Sequence, residues 1–204
     1  MVNPVTISPL RSPQAFVPAL NRLGVASVGV FNVTIGPVTP TFYVLIAAAS
    51  VETLATVEAR LGQDAEYLKA GAPFLTSPAD QAPFIRIESS LMVAFEGWPK
   101  LKLPAVTTEH KEGMFELRTY ESPSDQDHRR KVEMFNSGEY DVFEKAGFSQ
   151  VFYGDVLAKA SWFAPALPHI HVGLHRRNGS HRQMECLPRD AGVEETIGCT
   201  PVRL

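Results

Sequence analysis

The chain has 204 residues, a length that suits one large domain or two small ones and allows a sizeable buried core. An apolar share of 45% and a charged share of 20% are ordinary for a globular protein. A net charge of -3 gives no basic face for a nucleic-acid partner, and the short run Arg129, Arg130, Lys131 reads as a solvated helix face. The longest apolar run, residues 42–49, is too short to span a bilayer. Residues 1–10 lack the basic-then-apolar order of a secretory signal, so a cytoplasmic chain without a membrane span is expected. Both cysteines, Cys186 and Cys199, lie near the end and do not make a disulfide framework.

Residues 25–33 are rich in β-branched and aromatic side chains and end at Gly36-Pro37, which predicts a strand. Residues 41–48 predict a second strand, apolar on both faces. Ser50 is placed to cap a helix over 51–69 in which Val51, Leu54, Val57, Leu61 and Leu68 keep helical spacing, with Gly71-Ala72-Pro73 as its stop. Residues 84–95 read as one long strand, and a Pro-containing stretch leads through a polar linker to Gly113. The pattern then restarts, with a strand over 114–120 and Ser124 capping a helix that carries Val132, Phe135, Tyr140 and Phe143. Ala146-Gly147 closes that helix, and residues 148–157 form a strand.

The two parts superpose in sequence. Leu23-Gly24-Val25 followed by Val28-Gly29-Val30-Phe31 matches Ala146-Gly147-Phe148 followed by Val151-Phe152-Tyr153-Gly154 at an offset of 123. Residues 39–44 match residues 167–172 at an offset of 128, the difference falling in an insertion around 159–163. Helices and strands in this order predict an α+β chain in which a ferredoxin-like β-α-β unit is used twice.

Phe115-Glu116-Leu117-Arg118-Thr119-Tyr120 resembles the opening strand of NIPSNAP domains. The likeness continues through residues 130–136, Ala146-Gly147-Phe148 and Val151-Phe152-Tyr153-Gly154, and upstream through residues 18–24, 29–32 and Phe95-Glu96-Gly97-Trp98-Pro99-Lys100. The resemblance spans roughly residues 16–168 and implies a dimeric α+β barrel arrangement made by two halves of one chain, with no agreed catalytic activity. It divides the chain into a first half at 1–104, a second half at 113–168 and an aberrant tail at 169–204, so that the second half is incomplete. The first half is expected to lack its opening strand, because Pro4, Pro9 and Pro13 interrupt the residues that precede the match.

The tail changes character. All seven lysines precede residue 160, while four of the six histidines, both cysteines and five arginines fall in 169–204. Residues 184–198 can be written in permitted codons which, read one nucleotide later, give Trp-Ser-Ala-Phe-Arg-Glu-Met-Pro-Glu-Trp-Lys-Lys-Leu-Ser, the kind of segment with which the resembled family closes. The same shift turns residues 169–174 into Thr-Tyr-Met-Leu-Ala. A frameshifted tail from about residue 169 is therefore expected. On that basis His169, His171 and His175 are not read as a histidine-triad motif, whose third histidine would stand at Gly173. Nor are His181, Cys186 and Cys199 read as a zinc site, since their spacing matches no compact zinc motif.

Alternation along the strand puts Phe115, Leu117 and Thr119 on one face and Glu116, Arg118 and Tyr120 on the other. With the apolar face packed on helices, as the resemblance implies, the polar face looks into the barrel, where Glu116 and Arg118 either pair with each other or bind a polar ligand. Arg86, Glu88 and Ser90 alternate in the same way, and Asn32 and Tyr153 are placed by the repeat at the barrel mouth. The candidate ligand-binding residues are thus Glu116, Arg118, Tyr120, Arg86, Asn32 and Tyr153. Trp98 is expected to cover the end of the core, and His110 and His128, in polar contexts, to be exposed.

No phosphate loop, nucleophile elbow, catalytic residue, metal set or cofactor motif is recognised. The leading expectation is a non-catalytic NIPSNAP-like binding or interaction module with an unknown protein or small-molecule partner, and with the barrel or exposed sheet edges as routes to a homo-oligomer. The alternatives are a monooxygenase- or isomerase-like enzyme of the dimeric α+β barrel kind, argued from fold analogy alone, and a degraded gene product without function.

Overall fold

The computed structural model describes residues 2–5, 12–25, 27–36, 40–108, 113–160, 169–177 and 193–199. In chain order these form β1 (Val2–Val5), α1 (Ser12–Arg22), β2 (Ser27–Ile35), β3 (Phe42–Ala47), α2 (Val51–Leu61), α3 (Ala65–Leu75), β4 (Ser89–Ala94), α4 (Ala105–Thr108), β5 (Gly113–Ser122), α5 (Asp125–Met134), α6 (Tyr140–Lys145), β6 (Phe148–Ala160), β7 (His169–Arg177) and β8 (Val193–Cys199). The strands are hydrogen-bonded in the closed order β1-β3-β2-β8-β5-β7-β6-β4, with β4 returning to β1. Every described pairing is antiparallel. Each half therefore has its fourth strand beside its first, then its third, then its second, the ferredoxin-like order. Two seams, β2 with β8 and β4 with β6, join the halves.

The α+β class follows from local signals that recur in both halves. Ser50 accepts a hydrogen bond from the Thr53 N–H at 3.2 Å, and Ser124 accepts one from the Asp127 N–H at 3.1 Å, each starting a helix where an orphan donor needs a partner. Gly24 and Gly147 both end a helix at φ 84, a left-handed conformation that costs glycine little. The turn bonds repeat at the same offset: Gly24 N–H to Asn21 O and Leu23 N–H to Ala19 O in one half, Gly147 N–H to Glu144 O and Ala146 N–H to Val142 O in the other.

Several sequence expectations need correction. The helix expected over 51–69 is two helices, because the Asp64 carboxylate caps α3 through the Tyr67 N–H at 2.9 Å and takes two hydrogen bonds from Arg22 of α1. Gly71 and Pro73, expected as a stop, lie inside α3. Only residues 89–94 of the expected strand 84–95 are paired in β4. The opening strand expected to be missing is present as β1, four residues long, with Pro4 opposite Leu45. The described residues after 168 belong to the same sheet as those before it. His169–Arg177 pairs with both β5 and β6, and Val193–Cys199 pairs with β2 and β5. Residues 178–192 lie outside the described part.

Two kinds of core result. Phe31, Leu45, Met92, Phe115, Val151 and Phe152 come from strands of both halves and pack together in the barrel interior. A register shift between Gln150 and Phe152 lets the neighbouring Val151 and Phe152 both join it. Outside the ring, α1 and α2 cover β2 and β3 through Phe16, Leu20, Val44, Ile46, Leu54 and Val57. Helices α5 and α6 cover β5 and β6 through Phe135, Phe143, Phe148 and Tyr153.

Candidate functional site

The chemically richest set of side chains lies between the second-half sheet and the α5–α6 layer. Strand β5 supplies Glu116, Arg118 and Tyr120. The Arg118 guanidinium donates to Glu116 Oε2 from Nη2 at 2.8 Å and from Nε at 3.2 Å. Burial opposes the Arg118 charge, but hydrogen bonds and negative charge from Glu116 and Tyr120 outweigh it and raise its pKa. The guanidinium also lies 5.3 Å from the Phe143 ring centre and 5.4 Å from that of Phe148.

Beside this pair, β7 contributes His175, which is completely buried. Its ring stacks on Phe143 at 4.5 Å and its Nδ1 lies 3.4 Å from the Tyr153 hydroxyl. Among the described residues Nε2 has no hydrogen-bond partner. It sits over Gly173, where an added Cβ would approach it to 2.9 Å, so a residue larger than glycine at 173 would collide with it. Burial, helped by the Arg118 charge, lowers the His175 pKa to about 3, and the imidazole is neutral at pH 7.

Strand β6 supplies Gln150, Tyr153 and Asp155. Tyr153 donates its hydroxyl proton to Gln150 Oε1, and Gln150 Nε2 donates to the Tyr140 carbonyl at 2.8 Å. Burial, reinforced by Tyr120, Tyr140 and Glu139, raises the Tyr153 pKa far above the phenol range. Burial and then Glu139 push Tyr140 up to about 12. Tyr140 donates to Asn136 Oδ1 at 3.0 Å, and the same oxygen accepts the Gly97 N–H at 3.0 Å. His128 Nε2 meets Asp155 Oδ1 at 2.9 Å, joining α5 to β6. Between α5 and α6 the chain makes a π-turn, Phe135–Glu139, with Gly138 at φ 140, and Lys131 pairs with Glu139 across it at 3.5 Å. Trp98 closes one end, its Nε1 donating to Val151 O at 3.2 Å and its ring 5.2 Å from Tyr140.

This layer pairs Arg118 with Glu116, Lys131 with Glu139 and His128 with Asp155, and keeps Tyr140, Tyr153 and His175 neutral at pH 7. His175 is sealed from solvent. Chemically it fastens helices to a sheet. Among the described residues no group of three or more His, Cys, Asp or Glu could hold a metal ion, and no helix is long and apolar enough to cross a membrane.

The sequence expectation for β5 is corrected in one respect. The two faces are as alternation gives them, but they are exchanged: Phe115 and Leu117 belong to the barrel interior, while Arg118 and Tyr120 meet Phe143, Phe148 and Phe135 on the helix side. Two sheets closing on each other leave an apolar interior, and polar groups are accommodated under helices that carry partners for them. Tyr153 joins Glu116, Arg118 and Tyr120 there. Asn32 is remote, on the face of β2 that carries Val28 and Val30 toward the first-half helices. Arg86 lies outside any strand, 60% exposed, paired with Glu88 at 3.0 Å. His128, expected to be exposed, is buried because it faces Asp155. His110, His181 and Cys186 lie outside the described residues, as do the side chains of His169, His171 and Cys199.

Sequence reasoning missed His128, Asp155, Gln150 and His175. A signal existed for His128, which stands at helical spacing from Val132 and Phe135, and for Asp155, which alternates with Tyr153. None existed for Gln150, whose place depends on the register shift beside it. Comparison with protein-family models and with curated proteins finds no match for this chain.

Proposed function

We propose that the chain is a NIPSNAP-like binding or interaction module, built as a tandem pair of ferredoxin-like halves and without a catalytic centre. One observation carries this reading: Phe31, Leu45, Met92, Phe115 and Phe152 fill the space in which a barrel enzyme would enclose its substrate. The polar residues that would serve such an enzyme, Glu116 and Arg118, satisfy each other on the opposite face of the sheet. Titration with haem and with flat aromatic compounds tests it. The expected result is an unchanged Soret band and thermal midpoint; saturable binding of one haem per chain would sink the proposal.

A second reading, that the tail from about residue 169 is a shifted frame and the chain a degraded gene product, has its own support in His175. A fully buried imidazole whose Nε2 has no partner among the described residues is a poor occupant for a core strand position. Read one nucleotide later, any histidine codon followed by any arginine codon becomes isoleucine or threonine, both β-branched residues suited to a strand. Sequencing the gene and comparing the melting of this chain with that of a frame-restored one separates the readings. A restored chain no more stable than this one would count against the shift.

A further inference from the structure

The two halves hold their first strands differently. Strand β5 lies between β7 and β8, and pairs with β7 from Phe115 to Ser122 and with β8 from Gly113 to Thr119. Strand β1 takes the same place between β3 and β4. Among the described residues it pairs with β3 from Val2 to Val5, and with β4 at Val2, opposite Met92, and at Val5, opposite Ser89, alone. Its neighbours run further. β3 continues to Phe42, two residues beyond the partner of Val5, and β4 to Ala94, two beyond the partner of Val2. Within β1, Asn3 and Pro4 are of types depleted in strands, and proline has no N–H to give to a ladder.

The walls of this place ask for a different sequence. Val44, Leu45, Ile46 and Met92 are all buried. Leu45 and Met92 belong to the barrel interior, while Val44 and Ile46 belong to the core under α1 and α2. A strand lying between β3 and β4 therefore meets apolar side chains on both faces. The register sets Asn3 opposite Ile46 and Pro4 opposite Leu45. An extended segment of about eight apolar and β-branched residues would match both neighbours over their length and supply the N–H that Pro4 lacks. A second copy of the chain brings the same β1, with the same asparagine and proline, and gains nothing by exchange. We infer that the place between β3 and β4 is an acceptor site for an extended, proline-free apolar peptide of a partner protein, which enters by strand addition and displaces β1. The inference rests on the binding-module reading and deepens it by naming the class of partner.

Fluorescence anisotropy on the full chain tests it with two labelled probes, the peptide Lys-Thr-Val-Val-Ile-Val-Thr-Lys and the same peptide with proline in place of its isoleucine. The first should bind saturably, one per chain, and the proline peptide about tenfold more weakly or less, since it forfeits a ladder hydrogen bond. In the complex the amides of the first peptide should become protected from hydrogen exchange, as those of a strand paired on both sides. Asn3→Val/Pro4→Val makes the resident strand a better occupant, so this variant should melt higher and bind the first peptide about tenfold more weakly. The wild-type readings decide the matter whatever the stability of that variant. No binding of the first peptide, equal binding of both, a bound peptide whose amides exchange freely, or undiminished binding by the folded double variant would each overturn the inference. Haem binding would strike the binding-module reading through a separate signal, the Soret band, whereas a failure to bind peptide strikes this inference alone.

Discussion

At the residue scale, the buried polar groups of the second half set how stability responds to pH and mutation. His175 is the clearest case. Its pKa is near 6.5 in an unfolded chain and about 3 in the fold, so the unfolded state binds the proton first. The stability is fully present above about pH 6.5 and is lost as pH falls toward 3, with a slope approaching about 1.4 kcal/mol per pH unit. Urea unfolding at neutral and mildly acidic pH checks this. His175→Ile should flatten that part of the profile and raise neutral-pH stability by about 1 kcal/mol, by removing an unsatisfied polar atom. Arg118 behaves in the opposite sense. Arg118→Met takes the guanidinium from the Glu116 carboxylate, whose side chain is 13% exposed, and should cost about 3 kcal/mol. Glu116→Leu combined with Arg118→Met should recover most of that loss, because no charge is then left buried alone.

At the scale of the element, the two halves are closed by the same device. Gly24 and Gly147 share a φ of 84 and an open space beside the Cα, so a methyl group there meets no neighbour and the penalty is purely conformational. Gly24→Ala and Gly147→Ala should therefore each lower stability by about 1 kcal/mol, and by similar amounts, in denaturant titrations. Such positions were legible in the sequence because one residue decides them: the Ser50 and Ser124 caps and Gly147 stand where local chemistry puts them, whereas α1 and its end at Gly24 were not read, Pro13 and Pro18 masking the helix. Expectations that depended on a distant partner fared less well. The break before α3 comes from Asp64 meeting Arg22, and β1 forms despite Pro4 because β3 and β4 offer it a place. Alternation along β5 separated Phe115 from Glu116 correctly, yet it carries no information about which face a second sheet will cover. The candidate site was legible only as the Glu116–Arg118–Tyr120 face. Its partners on α5, α6 and β7 come from elements 11 to 59 residues away in sequence (Tyr120 to Lys131, Glu116 to His175).

At the scale of the whole molecule, the interior belongs to neither half. Phe31 and Leu45 come from the first and Phe115 and Phe152 from the second, and Phe31 meets Phe115 edge-on at 5.4 Å. Phe115→Ala should cost on the order of 3–5 kcal/mol. It should shift the entire unfolding curve rather than one part of it, with far-UV and near-UV signals moving together. Two stepwise transitions would show that the halves hold their own cores.

The two antiparallel seams have a further consequence for the segment between β4 and β5. Because β2 meets β8 and β4 meets β6, the two seams that hold one half to the other are made by strands outside that connection, to which Gly97, Trp98 and Lys102 add bonds to Asn136 and Val151. Its covalent continuity serves to hold each half at a high effective concentration near its mate, of the millimolar order typical of short tethers. A chain nicked at the exposed Leu103 would accordingly stay assembled and come apart only on dilution. The single chain is thus a bimolecular complex made unimolecular, in which the peptide bond at Leu103 governs the entropy of assembly and the seams govern its contacts.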